Sequence, residues 1–191
     1  MIQNLWATPF QQSKMSEDVC DRMAQAILQE YDLFNNPPGD FGSINILDKP
    51  HEVIAEFKET VVYPAFNSFL RNTLNKSIDD WGGHKTQGWV AGYGNDYSIA
   101  HHNHSGSQLS AVFYLMCDSI NKGGQIIFTD PRQNANRGYD TSFQGWFKPL
   151  QIIPTNGDIV VFPSYLYHYV TTYQSNIRIA LPVDLFLFNS L

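Results

Sequence analysis

From about Gly88 onward the chain changes texture, and that change limits the fold more than any other feature. Six runs, Leu109–Cys117, Gln125–Thr129, Leu150–Ile153, Ile159–Phe162, Tyr169–Tyr173 and Ile177–Phe188, are rich in β-branched and aromatic residues. Gly123-Gly124, Pro154–Gly157 and Gln174–Asn176 separate them as turns. No helical pattern intervenes, so an antiparallel barrel or sandwich is expected. At 191 residues and 43% hydrophobic content, the chain suits one domain with a real core. Pro131–Gly145 is polar and rich in Gly and Asn and reads as a long loop. Such a loop serves equally as a lid over a binding site or as a passive surface excursion.

The preceding part reads as helical. Ser16 is a natural N-cap, and Glu17 and Asp18 suit the positive end of a helix dipole. Val19, Met23, Ile27 and Tyr31 then recur every four residues as one apolar stripe for core packing. Asn35–Gly39, with two prolines, stops that helix. A second helix is expected from near Asp48 and Pro50, with Ile54, Phe57 and Val61 facing inward and Pro64 ending or kinking it. The expected organisation is a single domain over residues 1–191. Residues 1–85 form a mostly helical part packed on the barrel, and residues 86–191 form the barrel itself.

Charge and cysteine content narrow the function classes. The net charge is -6 with only 12 Lys+Arg, which argues against nucleic-acid backbones and anionic membranes as partners. Cys20 and Cys117 lie far apart and form no metal or disulfide motif, so each reads as a small apolar residue in a reducing cytoplasm. There is no transmembrane run, and MIQNLWATPF lacks the basic start and long apolar segment of a signal peptide. A soluble cytoplasmic protein is expected. The apolar tail Leu185–Phe188 reads equally as a barrel strand or as a homodimer interface.

His102 and His104 stand two positions apart, and on a strand such residues project to one face. They can therefore converge on one metal ion, while His101 points the opposite way. His168 follows the turn and apolar strand of Gly157–Ser164 in a tyrosine-rich setting. Delivered by a second strand, it completes a facial triad that leaves positions open on an octahedral metal. Arg178 sits between Ile177 and Ile179. A guanidinium facing a β core needs an anionic partner, either a protein carboxylate or a bound dicarboxylate. Tyr93 is a candidate second donor to that carboxylate, with Tyr97 and Tyr114 as competitors.

These segments resemble a known family. His102-Asn103-His104 running on to Tyr114, Gly123-Gly124 running on to Asp130 and Arg132, and Gly157–His168 leading to Arg178 look like the 2-oxoglutarate/Fe(II)-dependent oxygenases common in bacteria and marine phages. Leu5–Pro9 matches that family's opening, and the Tyr93-to-His102 spacing resembles prolyl hydroxylases. The resemblance implies a mainly β protein with N-terminal helices and a double-stranded β-helix (jelly-roll, cupin-like) core. It implies Fe(II) held by His102, His104 and His168. It also implies 2-oxoglutarate as co-substrate on Arg178 with Tyr93 or Tyr114, and O2 as the other reactant. The implied reaction hydroxylates an unactivated C–H bond of a protein, peptide or small molecule, releasing succinate and CO2. Trp89, Arg132 and Trp146 are the candidates for facing the substrate.

One departure stands out. Most of the wider superfamily reads His-x-Asp or His-x-Glu, whereas this chain has His104 at the carboxylate position. Either three neutral imidazoles hold the metal, or Asp96, Asp130 or Asp158 reaches in, or two histidines suffice with water or an anion. The departure also keeps a rival reading alive: a cupin-like metal- or ligand-binding module without 2-oxoglutarate chemistry, acting as an interaction protein.

Overall fold

The computed structural model describes residues 7–31, 45–117, 120, 122–132, 149–175 and 177–189. Helix α1 covers Glu17–Glu30, and its cap is Ser16, whose hydroxyl accepts from the Val19 N–H at 3.4 Å. Its stripe buries Met23 and Ile27 completely. Cys20 is also buried there, and its thiol donates to the Leu115 carbonyl at 3.2 Å. The expected stop at Asn35–Gly39 lies outside the described residues.

The second helix departs from the expectation at Pro64. Helix α2, Glu52–Phe57, is capped by the His51 ring, which accepts from the Val53 N–H. It continues through one wide π-turn, Lys58–Val62, directly into α3, Tyr63–Leu74. Pro64 thus neither ends nor breaks the rod. It falls in the first turn of α3, where a missing N–H costs least, and the wide turn before it relieves the ring clash.

Ten strands follow one another as β1 Gln11–Lys14, β2 Gly83–Gly88, β3 Ala91–Tyr93, β4 Tyr97–His102, β5 Leu109–Met116, β6 Ile126–Phe128, β7 Leu150–Ile152, β8 Asp158–Pro163, β9 His168–Tyr173 and β10 Arg178–Phe188. They form two antiparallel sheets. The major sheet runs β1-β8-β5-β10-β2 with β3 also on β10, and the minor sheet runs β4-β9-β6-β7. The tail Leu185–Phe188 is part of β10, with Leu185 and Leu187 buried in the core.

Parity along the strands sorts the side chains into two cores. Ala111, Phe113, Ile179, Leu181, Val183 and Leu185 face the helices, where they meet Met23, Ile27, Phe57 and Phe66. Val112, Tyr114, Val160, Phe162 and Ala180 face the minor sheet, where they meet Ile126, Phe128 and Val170. Successive side chains on a strand alternate faces, so Arg178, Ala180, Pro182 and Asp184 share the inter-sheet side of β10. Pro182 sits in a central strand without an N–H to give. Its neighbour changes from β3 to β2 at this point, and its carbonyl accepts from Trp89 at 3.1 Å. Among the described residues no helix is long and apolar enough to cross a membrane.

The turn into β6 is tight against β9. Gly123 has φ of +77°, and a Cβ there would stand 1.9 Å from the Thr172 carbonyl oxygen. Gly123→Ala is therefore expected to destabilise the fold by about 2 kcal/mol or more, read from the urea unfolding midpoint.

Candidate metal centre

The minor sheet sets two of the imidazoles side by side. His102 ends β4, His168 begins β9, and the two residues are paired across the antiparallel ladder with ring centroids 4.4 Å apart. His104 lies past the end of β4, not on it as the strand reading expected. Its N–H donates to the Ser164 carbonyl at 3.0 Å, which ties this segment to the end of β8. The three side chains nevertheless converge: one ligand atom from each of His102, His104 and His168 lies within 4.8 Å of the others. His101 projects to the other face, stacked on Tyr167 and bonded to the Thr129 hydroxyl.

Each ring is pinned through the same nitrogen. Nδ1 of His102 meets the Ala100 carbonyl at 2.7 Å, Nδ1 of His168 meets the Leu166 carbonyl at 3.0 Å, and Nδ1 of His104 meets the Asp184 carboxylate at 2.7 Å. Carbonyls and carboxylates only accept, so each Nδ1 carries a proton, and in the neutral ring the lone pair then lies on Nε2. That is the tautomer a metal needs. Burial also lowers the pKa of His102 and pushes His168 down to about 3, so both rings are neutral near neutral pH.

A cavity leads from the triad to Arg178. It is lined by Trp89, Val112, Tyr114, Ile126, Val170 and Arg178 together with the three histidines. Arg178 is 1% exposed, donates to the Gly124 carbonyl at 3.1 Å, and lies over the Tyr114 ring at 5.2 Å. Burial pushes its pKa down to about 9, which still leaves it charged at neutral pH. Gly124 makes room for it, since a Cβ there would press on Tyr173 and on the Arg178 side chain. Tyr114 is fully buried, and its hydroxyl has no hydrogen-bond partner among the described residues. Burial raises its pKa well above the usual range, so the phenol keeps a proton to donate. A buried unpaired hydroxyl beside a buried cation suits an anionic oxygen as partner.

The other expected residues distribute as follows. Trp89 lines this cavity, with its ring 5.4 Å from that of His104. Arg132 does not line it, and its guanidinium is turned onto Asp130. Asp158 is held by Thr155 in a turn, and Asp96 faces Asn95. None of these three acids joins the triad. Trp146 and the side chain of Tyr93 lie outside the described residues, although the Tyr93 backbone pairs with Arg178.

The sequence reading missed Asp184 and the serines around it. The signal was available, because Asp184 is an acid between Val183 and Leu185 at even spacing from Arg178. The argument that singled out a charged residue inside an apolar strand applied to both.

A family model described as "Putative 2OG-Fe(II) oxygenase" matches residues 87–184, just over half of the chain. No curated protein matches the sequence. Among solved structures the chain is similar to a prolyl-4-hydroxylase of Pseudomonas putida, at 17% identity over 95% of this chain and 87% of that one, with a TM-score of 0.63. It is similar to a prolyl hydroxylase of Trichoplax adhaerens in complex with a hypoxia inducible factor oxygen degradation domain peptide fragment, at 17% identity over 93% and 83%, with a TM-score of 0.64. It is also similar to HygX of Streptomyces hygroscopicus with iron bound, at 11% identity over 94% and 82%, with a TM-score of 0.60. At such identities the likeness establishes the architecture, a double-stranded β-helix.

The buried His168 has a consequence for acid stability. Between its ordinary value of 6.5 and about 3 the unfolded chain binds a proton that the folded chain refuses. This contribution is complete above the upper value and falls on acidification by ~1.4 kcal/mol per pH unit. Urea unfolding of the metal-free protein from about pH 7 to about pH 5 should show His168→Gln losing less stability than the parent.

Proposed function

Because the chain belongs to the 2OG-Fe(II) oxygenase family, and so uses Fe(II) and 2-oxoglutarate, we propose that it hydroxylates an unactivated C–H bond and releases succinate and CO2. The prime substrate is a peptide, a protein side chain or a small molecule. The observation that carries this reading is the convergence of three imidazoles on one point, in a cavity that also holds Arg178 and Tyr114. Family membership selects it over a binding module without this chemistry.

The residues fit the cofactors. Three neutral imidazole nitrogens are suitable donors for Fe(II), and a facial set leaves positions open for a chelating 2-oxo acid and oxygen. Iron held by His102, His104 and His168 would activate O2, the oxidant, with 2-oxoglutarate as the two-electron donor, so that R–H, O2 and 2-oxoglutarate would give R–OH, succinate and CO2. His102, His104 and His168 hold the metal in one geometry, because each Nδ1 is already committed. The Arg178 guanidinium and the Tyr114 hydroxyl bind the far carboxylate of 2-oxoglutarate, which answers the burial of one and the unmet donor of the other. Val112, Ile126 and Val170 close the walls between them and keep water out.

The prime substrate approaches from the outer side of the triad. A cavity of about 450 Å³ opens there, lined by Trp89, Tyr97, Ile99, His102 and Asn103. Trp89 belongs to both cavities and separates the co-substrate from the substrate. Arg132, engaged with Asp130, has no part in either.

Anaerobic titration of the protein with Fe(II) and 2-oxoglutarate should produce a weak visible charge-transfer band. Arg178→Ala should abolish it at modest co-substrate concentration. Tyr114→Phe removes one hydrogen bond to a charged group and should raise the KM for 2-oxoglutarate about tenfold without changing iron affinity. Fully loaded iron with no band would sink the proposal.

A further inference from the structure

Asp184 is the one charged group in contact with the triad among the described residues. Its Oδ1 accepts from His104 Nδ1 at 2.7 Å and from the Ser110 hydroxyl at 2.6 Å. Ser164 lies 2.8 Å from Ser110 and receives a further bond from Ser107, also at 2.8 Å. The side chains of His104 and Asp184 are only 5% and 11% exposed. His102 and His168 differ in kind, because their Nδ1 partners are neutral backbone carbonyls. Only the histidine at the position where the wider superfamily carries a carboxylate is backed by an anion.

We propose that Asp184 is a positioning residue that restores, through the His104 ring, the negative charge missing from the metal's own ligands. The proposal rests on the metal reading above. A carboxylate that accepts from the far nitrogen of a ligating imidazole fixes its tautomer and makes the near nitrogen a stronger donor. The charge balance of the pocket gives the reason. A divalent ion and Arg178 together carry three positive charges, and 2-oxoglutarate brings two negative ones. A carboxylate ligand would make the site neutral with co-substrate bound, and three unsupported imidazoles would leave it cationic in a buried cavity. Asp184 closes that gap from one bond further out. β10 carries both charges on one face, Arg178 for the co-substrate and Asp184 for the metal, six positions apart. The backbone pairing of Asp184 with Ser110 across the β10–β5 ladder sets where the carboxylate stands, and the Ser110 hydroxyl shares its Oδ1 with His104.

The test is metal binding without turnover. Co(II) is titrated anaerobically by calorimetry into the parent, Asp184→Asn, His168→Ala and the double variant His104→Asp/Asp184→Asn. The amide oxygen of Asp184→Asn still accepts from His104, so orientation survives while the charge is lost. The expected loss of affinity is about 10- to 100-fold, with the circular dichroism spectrum unchanged. The double variant moves the charge onto the metal and should regain at least about tenfold of that loss. The Fe(III)/Fe(II) potential, which a packing role alone would not move, should rise in Asp184→Asn.

Should that variant fold poorly, Ser110→Ala carries the test. It leaves the carboxylate but removes the hydroxyl that competes with His104 for it. Co(II) should then bind at least as tightly as in the parent, and weaker binding would contradict the proposal. Parent-like affinity and potential in Asp184→Asn would overturn the role of Asp184 alone. A parent that holds no Co(II), or holds it equally after His168→Ala, would overturn the metal reading and this inference together.

Discussion

The major sheet is covered on both faces, and every other property of the molecule follows from that constraint. Helices α1 and α3 press on one side and the minor sheet on the other, so every residue of β5 from Leu109 to Leu115 is buried. In a strand buried on both faces, a polar residue survives only with a partner. Parity then decides what kind of partner it finds. The residues of β5 and β10 that face the helices are uniformly apolar. The face toward the minor sheet holds Ser110, Tyr114, Arg178 and Asp184. The polar chemistry is thus confined to the one space that two sheets can enclose.

Much of this was legible in the sequence. The strands from Leu109 onward are buried, and burial forces a β-branched and aromatic composition that can be read directly. β1 and β2, with the sequences QQSK and GHKTQG, carried no such signal. They are the two outer strands of the major sheet, where polar side chains are tolerated and pairing is decided by tertiary contact. The π-turn before α3 was legible only in part: Pro64 marks a disturbance of the helix, but a wide turn in place of an end is decided by how α2 and α3 settle on the sheet.

The site was legible to a different depth. His168 and Arg178 announced themselves as polar residues in apolar strands, and His102 as half of a spaced pair. The pairing logic for His104 led to the right convergence through the wrong element. The ring arrives from a turn secured by Ser164, where strand parity does not apply. Asp130 and Asp158 attracted attention because they stand within recognisable motifs, yet each is consumed locally, by Arg132 and by Thr155. Local hydrogen bonding of this sort is a routine fate of aspartate in turns. Asp184 carried the same local mark as Arg178, an ionisable side chain between apolar neighbours, but its partners His104 and Ser110 are 80 and 74 positions away and nothing nearby points to them.

Cross-strand pairing of His102 with His168 also bears on how an ion enters. Two of the three rings belong to the same ladder, and each is tethered to a carbonyl two residues away in its own segment. Their spacing is therefore inherited from backbone hydrogen bonds and does not wait for a ligand. On the proposed metal reading, two of the three donors would thus be set before an ion arrives, and little of their ordering entropy would be lost on occupancy. On the same reading, loading would then follow mass action and depend on which divalent ion is abundant around the folded protein.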